Sequence, residues 1–291
     1  DGTKLAYIGI HEGVPQIYVR ALDSVEAKAI SGTEGAANPF FSPDSQWIGF
    51  FAQGKMKKVP VGSGAPASIC DAGSAGSGGA SWGEDGTIVF SPTGAGLSRV
   101  AAAGGEPKVI TTPDVSKGEY SHRYPQILPG GKSVIFTALN GFGWDESRIE
   151  LLRLDTGERR ILVRGGNTGR FLPTGHLVYF RGGLLLAVPF DLARLEVKSD
   201  TPITLADGVR QNSGTVGAAY AISAAGTLAY ISALGGSRQF DQRLVWVDRQ
   251  GKIEPIAAPT RAYAYGDAAA LSPDGQQIVV SIRSGTDELW I

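Results

Sequence analysis

The chain alternates short apolar runs with small polar corners, and one corner-plus-run unit recurs seven times. The first four units are Asp1-Gly2 before Leu5-Ala6-Tyr7-Ile8, Ser42-Pro43-Asp44-Ser45 before Trp47-Ile48-Gly49-Phe50, Glu84-Asp85-Gly86 before Ile88-Val89-Phe90, and Pro129-Gly130-Gly131 before Val134-Ile135-Phe136. Three more are Pro173-Thr174-Gly175 before Leu177-Val178-Tyr179-Phe180, Ala224-Ala225-Gly226 before Leu228-Ala229-Tyr230-Ile231, and Ser272-Pro273-Asp274-Gly275 before Ile278-Val279-Val280. Proline presets φ at the first turn position, Asp bonds its own backbone and Gly accepts positive φ, so each corner predicts a tight hairpin feeding a strand. Successive corners lie about 41 to about 51 residues apart, enough for four short strands with their turns, which is one propeller blade. A third strand is predicted at Ile17-Tyr18-Val19, Leu97-Ser98-Arg99-Val100, Leu151-Leu152-Arg153-Leu154, Leu244-Val245-Trp246-Val247 and Leu289-Trp290-Ile291. A fourth is predicted at Ala29-Ile30, Ala67-Ser68-Ile69, Lys108-Val109-Ile110, Arg160-Ile161-Leu162-Val163 and Ile203-Thr204-Leu205. No long segment repeats its apolar positions at the helical period, so little helix is expected.

The expected fold is an all-β propeller of four-stranded antiparallel blades, one unit over residues 1–291. The first unit lacks the strand before its corner, and the last stops at Ile291 before a fourth strand. The resulting count of about 26 strands falls between the ~24 of six blades and the ~28 of seven. Seven repeats with incomplete first and last blades are expected, with a six-bladed ring plus an overhang as the alternative and a fragment of a longer chain compatible with both.

Composition narrows the function. The 41 glycines suit a chain with many turns, and 27 Lys+Arg against 28 Asp+Glu give no basic excess for tracking nucleic-acid phosphates. A single cysteine, Cys70, excludes an intrachain disulfide framework and a four-cysteine zinc site, and reads as a small buried apolar residue. The strongest apolar run, Gly183-Leu184-Leu185-Leu186-Ala187-Val188-Pro189, is too short to span a bilayer, so no membrane insertion by this segment is expected. The chain opens at Asp1-Gly2-Thr3-Lys4 without a basic and apolar leader, so no signal peptide is read in it.

Phe41-Ser42-Pro43-Asp44 and Leu271-Ser272-Pro273-Asp274-Gly275, each an apolar residue ahead of a Ser-Pro-Asp corner, resemble the TolB-like propeller repeat, and the resemblance covers nearly the whole chain. Asn38-Pro39-Phe40-Phe41-Ser42-Pro43-Asp44 and Leu244-Val245-Trp246-Val247-Asp248-Arg249-Gln250-Gly251 are similar to the C-terminal propeller region of bacterial transmembrane Ser/Thr protein kinases. That likeness implies an extracytoplasmic or periplasmic location. The corners at Ala224-Ala225-Gly226 and Pro173-Thr174-Gly175 lack the Asp of the pattern. Such a repeat is informative about fold and says little about function, because one fold hosts many activities.

In a propeller the innermost strand of each blade lines the central channel, so polar residues just before each corner are the candidates for chemistry. One apolar column, Phe41, Trp82, Ile127, Phe171, Ile222 and Leu271, is expected to pack between blades. Four positions earlier stand Ala37, Gly78, Arg123, Asn167, Ala218 and Asp267, followed by Asn38, Gly79, Tyr124, Thr168, Ala219 and Ala268. Asn38, His122, Arg123, Asn167, Arg170 and Asp267 are therefore the expected ligand-binding residues at one channel mouth. Asn38, Asn167 and Asp267 are also oxygen donors suited to calcium, which could polarise a phosphoryl or carbonyl oxygen. Of the three histidines, His11 and His176 read as solvated, and His122 is the weak candidate for a base. Serine-nucleophile and kinase signatures are absent. The Asp145-Glu146 pair, the aromatics Phe142, Trp144, Tyr263 and Tyr265, and the lengthened loops 141–147, 208–217 and 235–242 are candidate contacts at a rim.

Two functions follow. The first is a non-catalytic propeller that binds a protein or small molecule at one face, without a cofactor, as a sensor or interaction module of a larger bacterial protein. The alternative is a calcium-dependent hydrolase of phosphotriesters, esters or lactones with its site in the channel.

Overall fold

The computed structural model describes residues 4–21, 24–62, 64–73, 78–140, 143–211, 217–222, 228–233, 244–247 and 250–255, with strand pieces at 270–271, 278–279, 282–284 and 286–288. Antiparallel sheets follow one another along the chain, each laid out in sequence order. The first holds β1 (Lys4–His11), β2 (Val14–Ala21) and β3 (Ala27–Ala29). The second holds β4 (Ala37–Phe41), β5 (Trp47–Ala52), β6 (Lys55–Pro60) and β7 (Ala67–Asp71). The third holds β8 (Ala80–Trp82), β9 (Thr87–Phe90), β10 (Ser98–Ala101) and β11 (Lys108–Val109). The fourth, with the longest strands, holds β12 (Glu119–Ile127), β13 (Ser133–Asn140), β14 (Gly143–Arg153) and β15 (Arg159–Arg164).

The fifth sheet holds β16 (Asn167–Leu172), β17 (His176–Arg181) and β18 (Leu184–Asp191), with β19 (Glu196–Val197) and β20 (Ile203–Ala206) both against β18. The sixth holds β21 (Tyr220–Ile222), β22 (Leu228–Ile231), β23 (Leu244–Val247) and β24 (Ile253–Pro255). Two strand pairs follow, β25 (Ala270–Leu271) with β26 (Ile278–Val279) and β27 (Ile282–Ser284) with β28 (Thr286–Glu288). Among the described residues the only helical turn is a 3₁₀ segment at Val115–Lys117, and no helix is long and apolar enough to cross a membrane. The predicted strand at Leu289-Trp290-Ile291 lies outside the described residues.

The corners form as their residues dictate. At the second, Ser42 Oγ donates to Asp44 Oδ1 at 2.5 Å, and Asp44 Oδ1 also accepts the Gln46 amide at 3.0 Å. The corner ends on Ser45 at φ 57, the left-handed conformation that Gly86, Gly131 and Gly175 adopt at the same place. In the second, third, fourth and fifth sheets the strand after the corner is buried on both faces, which explains its continuous apolar run: Ile48 to Ala52, Ile88 to Phe90, Val134 to Leu139 and Leu177 to Phe180 are all buried.

By internal packing the chain divides into two compact units, residues 1–53, 58–67 and 206–291 in one, 54–57 and 68–205 in the other. The first unit joins Ala6 and Ile17 of the first sheet to Ile48, Phe50 and Val59 of the second, with Phe41 packed against them. In the second unit the fourth sheet stands between two neighbours. Val134, Phe136, Ala138 and Leu152 meet Val89 and Leu97 of the third sheet, while Ile135, Ile149 and Leu151 meet Phe171, Leu177, Tyr179 and Leu186 of the fifth. Strand alternation thus sends odd and even positions of β13 to different neighbours. Of the expected apolar column, Phe171 joins a core cluster and Ile127 packs against one.

One feature repeats in the innermost strands. Asn38, Gly79, Tyr124 and Thr168 are left-handed, at φ 45, 75, 54 and 51. In β4, β12 and β16 the register slips there by one residue, between Ala37 and Phe40, Arg123 and Gln126, and Asn167 and Arg170. Two residues of the inner strand then oppose one on the next strand, which defines a β-bulge. The opposed residues are Phe50, Phe136 and Tyr179, each at most 2% exposed.

Glycine marks the tightest approach in the third sheet. A Cβ at Gly96 would collide with the Thr111 carbonyl, whereas one at Gly62 meets nothing within 4 Å. Gly96→Ala is expected to lose about 1–3 kcal/mol or more by urea denaturation. Gly62→Ala should change stability by no more than about 0.5 kcal/mol.

Candidate functional site

The densest polar chemistry gathers where β12 begins. Residues directly opposite one another in an antiparallel pair share a face. His122 stands opposite Ala138, whose side chain packs towards the third sheet; Arg123 stands opposite Thr137, which reaches the fifth sheet through an Oγ1 that accepts the Thr168 amide at 2.9 Å. The adjacent His122 and Arg123 therefore point to opposite faces of the fourth sheet.

His122 is completely buried and tied to the third sheet at three atoms. Its amide donates to Ala95 O at 3.0 Å, its carbonyl accepts Ser91 Oγ at 2.6 Å, and its Nδ1 lies 2.7 Å from Thr111 Oγ1. On the other side Nε2 lies 3.1 Å from Glu119 Oε2. An ionised carboxylate only accepts, so Nε2 carries the ring proton, Nδ1 is the acceptor and the Thr111 hydroxyl donates to it. Thr111 Oγ1 in turn accepts the Leu97 amide at 2.7 Å. The Phe136 ring packs against the imidazole, 4.9 Å between centroids, with Arg159 on it at 5.5 Å.

Glu119, itself 4% exposed, accepts four hydrogen bonds. Oε1 takes Arg148 at 2.7 Å and Arg159 at 2.8 Å, and Oε2 takes the Asp114 amide at 2.7 Å and His122. Glu150 accepts Arg159 Nε at 3.0 Å. It also stands 3.1 Å from Arg148 Nε, an ion-pair distance, yet that buried N–H has no hydrogen-bond acceptor. Two guanidinium groups and two carboxylates balance around a neutral ring.

Burial pushes the His122 ring down to about 4, against the pull of its bond to Glu119. Burial opposes ionisation of Glu119 as well, but Arg159, the Asp114 amide and His122 outweigh it and hold the carboxyl at about 2. Hydroxyl, imidazole and carboxylate stand in the order of a catalytic triad. Chemically the resemblance stops there, because Thr111 is 6% exposed and its oxygen already serves Leu97 and His122.

The other sequence candidates distribute as follows. Arg123 is buried, with Nε donating to Ser121 Oγ at 3.0 Å. Asn167 is 2% exposed, and its Oδ1 accepts the Thr168 hydroxyl at 2.8 Å. Arg170 donates to Tyr124 O and Gly169 O, both at 3.0 Å, which brings its guanidinium to the backbone just after Arg123. Asn38 is half-buried on β4, in the other unit. Asp267 lies outside the described residues, as do Tyr263, Tyr265, the Phe142 and Trp144 side chains and loop 235–242. Among the described residues no group of three or more His, Cys, Asp or Glu is placed to hold a metal ion. His11 is exposed, His176 bonds Thr174 at 3.2 Å, and burial raises the Cys70 thiol to about 11.

Sequence reading missed Glu119, Arg148, Glu150, Arg159 and Thr111. A signal exists for two of them: Arg148 and Glu150 alternate with the apolar Ile149 and Leu151, a charged face on a strand with no solvent side.

Glu119→Gln leaves two guanidinium groups facing one carboxylate and is expected to cost about 3–5 kcal/mol in urea denaturation. Arg153→Ala, which breaks a half-exposed pair with Asp155, should cost less than about 1 kcal/mol. Acid should also destabilise the protein. The folded His122 binds its proton more weakly than the 6.5 of an unfolded chain, so its contribution is whole above 6.5 and is lost as pH falls towards 4. Glu119 adds a further loss as pH falls from 4.5 towards 2. The His122 part amounts to at most about 3 kcal/mol, read from urea midpoints across that range.

No protein-family model matches the chain, and no curated protein matches it in sequence. Solved structures do match. TolB from Acinetobacter baumannii superposes with a TM-score of 0.65 at 15% identity over 89% of this chain and 65% of its own. An oligogalacturonate lyase from Vibrio parahaemolyticus gives 0.64 at 13% identity over 99% and 86%, and one such lyase has been solved with manganese. Regucalcin from Agrobacterium tumefaciens, a calcium-binding protein, gives 0.58 at 15% identity over 84% and 81%. The fold is that of the TolB-like β-propellers.

Proposed function

We propose that this chain is a TolB-like propeller of seven repeats that binds a protein or small molecule at one face, as a non-catalytic sensor or interaction module of a larger bacterial protein. The observation that carries this reading is the closure of the imidazole: both ring nitrogens of His122 are committed inside a sheet seam, to Thr111 and to Glu119. Within the second unit, Arg123, Asn167 and Arg170 are the residues assigned to the ligand. Bulged inner strands held at their seams give those side chains a rigid mount, on which recognition depends. The resemblance to the propeller region of bacterial transmembrane kinases supports an extracytoplasmic place, and the even charge balance supports a partner other than nucleic acid.

A second reading, a calcium-dependent hydrolase of phosphotriesters, esters or lactones, has one observation behind it. Two fold neighbours are metal-bound or calcium-binding proteins. Elemental mass spectrometry after exhaustive dialysis without chelator separates the two. The binding module should retain no stoichiometric calcium. About one tightly held ion per chain, with ester turnover lost on chelation, would replace the first reading by the second.

A further inference from the structure

We propose that the seam between the third and fourth sheets is an acid-released joint, held shut by the neutral ring of His122 and opened locally when that ring takes a second proton. The geometry of the two seams of the fourth sheet carries the inference. Towards the fifth sheet the cross-seam bonds use groups that do not titrate: Thr168 N to Thr137 Oγ1, Phe171 N to Gln126 Oε1 at 2.6 Å, and Gln126 Nε2 to Phe171 O at 3.1 Å. Towards the third sheet three of the bonds converge on one titratable residue, through its amide, its carbonyl and its Nδ1, beside the bonds from the Tyr124 and Ile127 amides.

A proton on Nδ1 turns an acceptor into a donor aimed at Thr111 Oγ1. That oxygen already accepts the Leu97 amide, so its own hydrogen loses its acceptor and must turn away inside a buried seam. The charge balance changes as well. The groups facing His122 are Glu119 on its own strand, Arg148 and Glu150 on β14 and Arg159 on β15, with Asp114 and Lys117 paired at 2.8 Å beside them. Thr111, Ser91 and the Ala95 carbonyl face it from the third sheet and offer no carboxylate. A third buried cation therefore joins two carboxylates that two guanidinium groups already saturate. The depressed proton affinity of the ring is the same opposition seen from the proton's side. Acid thus weakens one seam and leaves the other intact, which makes the joint a two-state element biased by a histidine.

Amide hydrogen exchange followed residue by residue tests this. The amides of His122, of Tyr124 (bonded to Gly78 O at 2.6 Å) and of Ile127 (bonded to Ser81 Oγ at 3.0 Å) report the third seam. Those of Thr168 and Phe171 report the other. Between about pH 7 and about pH 5, protection at the first three should fall about tenfold relative to the intrinsic rate, with Thr168 and Phe171 unchanged. In His122→Gln, which cannot take up a proton, the difference should vanish. Equal loss at both seams, no loss at either, or the same pH dependence in His122→Gln would overturn the proposal. Should that variant fail to fold, ring ¹⁵N shifts of the wild-type protein decide: the native ring must stay neutral, protonated at Nε2, well below the 6.5 of an unfolded histidine while exchange at the seam rises, and a ring that titrates at its ordinary value or carries its proton on Nδ1 rules the joint out.

Discussion

Two apolar sheets pressed together fix their separation but leave sliding and rotation open, because hydrophobic attraction has no direction. The constraint that removes this freedom is the left-handed step in the innermost strands. At Tyr124 the step turns an amide towards the Gly78 carbonyl, and at Thr168 it turns one towards the Thr137 hydroxyl. β12 and β16 thus each make a directed bond backwards to the sheet before. Arg170 adds a bond back to the Tyr124 carbonyl. Directed bonds at the narrow inner edges locate sheets that the apolar cores between them only hold together.

The charged cluster at the start of β12 belongs to the same logic. Glu119, Arg148, Glu150 and Arg159 form ion pairs with one another across three strands of one sheet. A buried cluster of this kind adds little net stability compared with apolar packing, since desolvation offsets most of the attraction. What it supplies is a requirement: β14 and β15 must arrive in one register for both carboxylates to be satisfied. His122 then couples that internally paired cluster to the neighbouring sheet through a single neutral ring.

The fold was legible because its signals are local. A Ser-Pro-Asp corner needs only its own atoms, and Ser42, Asp44 and Ser45 form the turn their sequence calls for. The strands after the corners were legible because burial on both faces leaves an unbroken apolar run. The site was less legible, for two physical reasons. The direction of His122 depends on which strand lies opposite, information carried by Ala138 sixteen positions on. The cluster joins residues 29, 31 and 40 positions away from Glu119, and no spacing rule links a strand start to two later strands. The bulge was also hidden, since Tyr124 and Thr168 are residue types that rarely adopt the left-handed conformation, and Asn38 and Gly79 alone in that column suit it.

That step has a consequence for how such a chain can change. In an unbroken strand, side-chain parity is conserved from end to end, so the residue that faces one neighbour at the start dictates which residues face it at the finish. Between Arg123 and Gln126 the count is reset: both are matched to positions of β13 that point to the fifth sheet, while Ile127 returns to the third-sheet side. The inner strand therefore reads as two independent phrases joined by a shift of phase. Deleting one of the two residues at the join restores unbroken alternation: Gln126 and Ile127 keep their partners and faces, and what is lost is the left-handed step with its bond to the Gly78 carbonyl. Exchanging residues within the first phrase leaves the packing grammar of the second untouched, so the inner edge can diversify while the core behind it keeps its spelling.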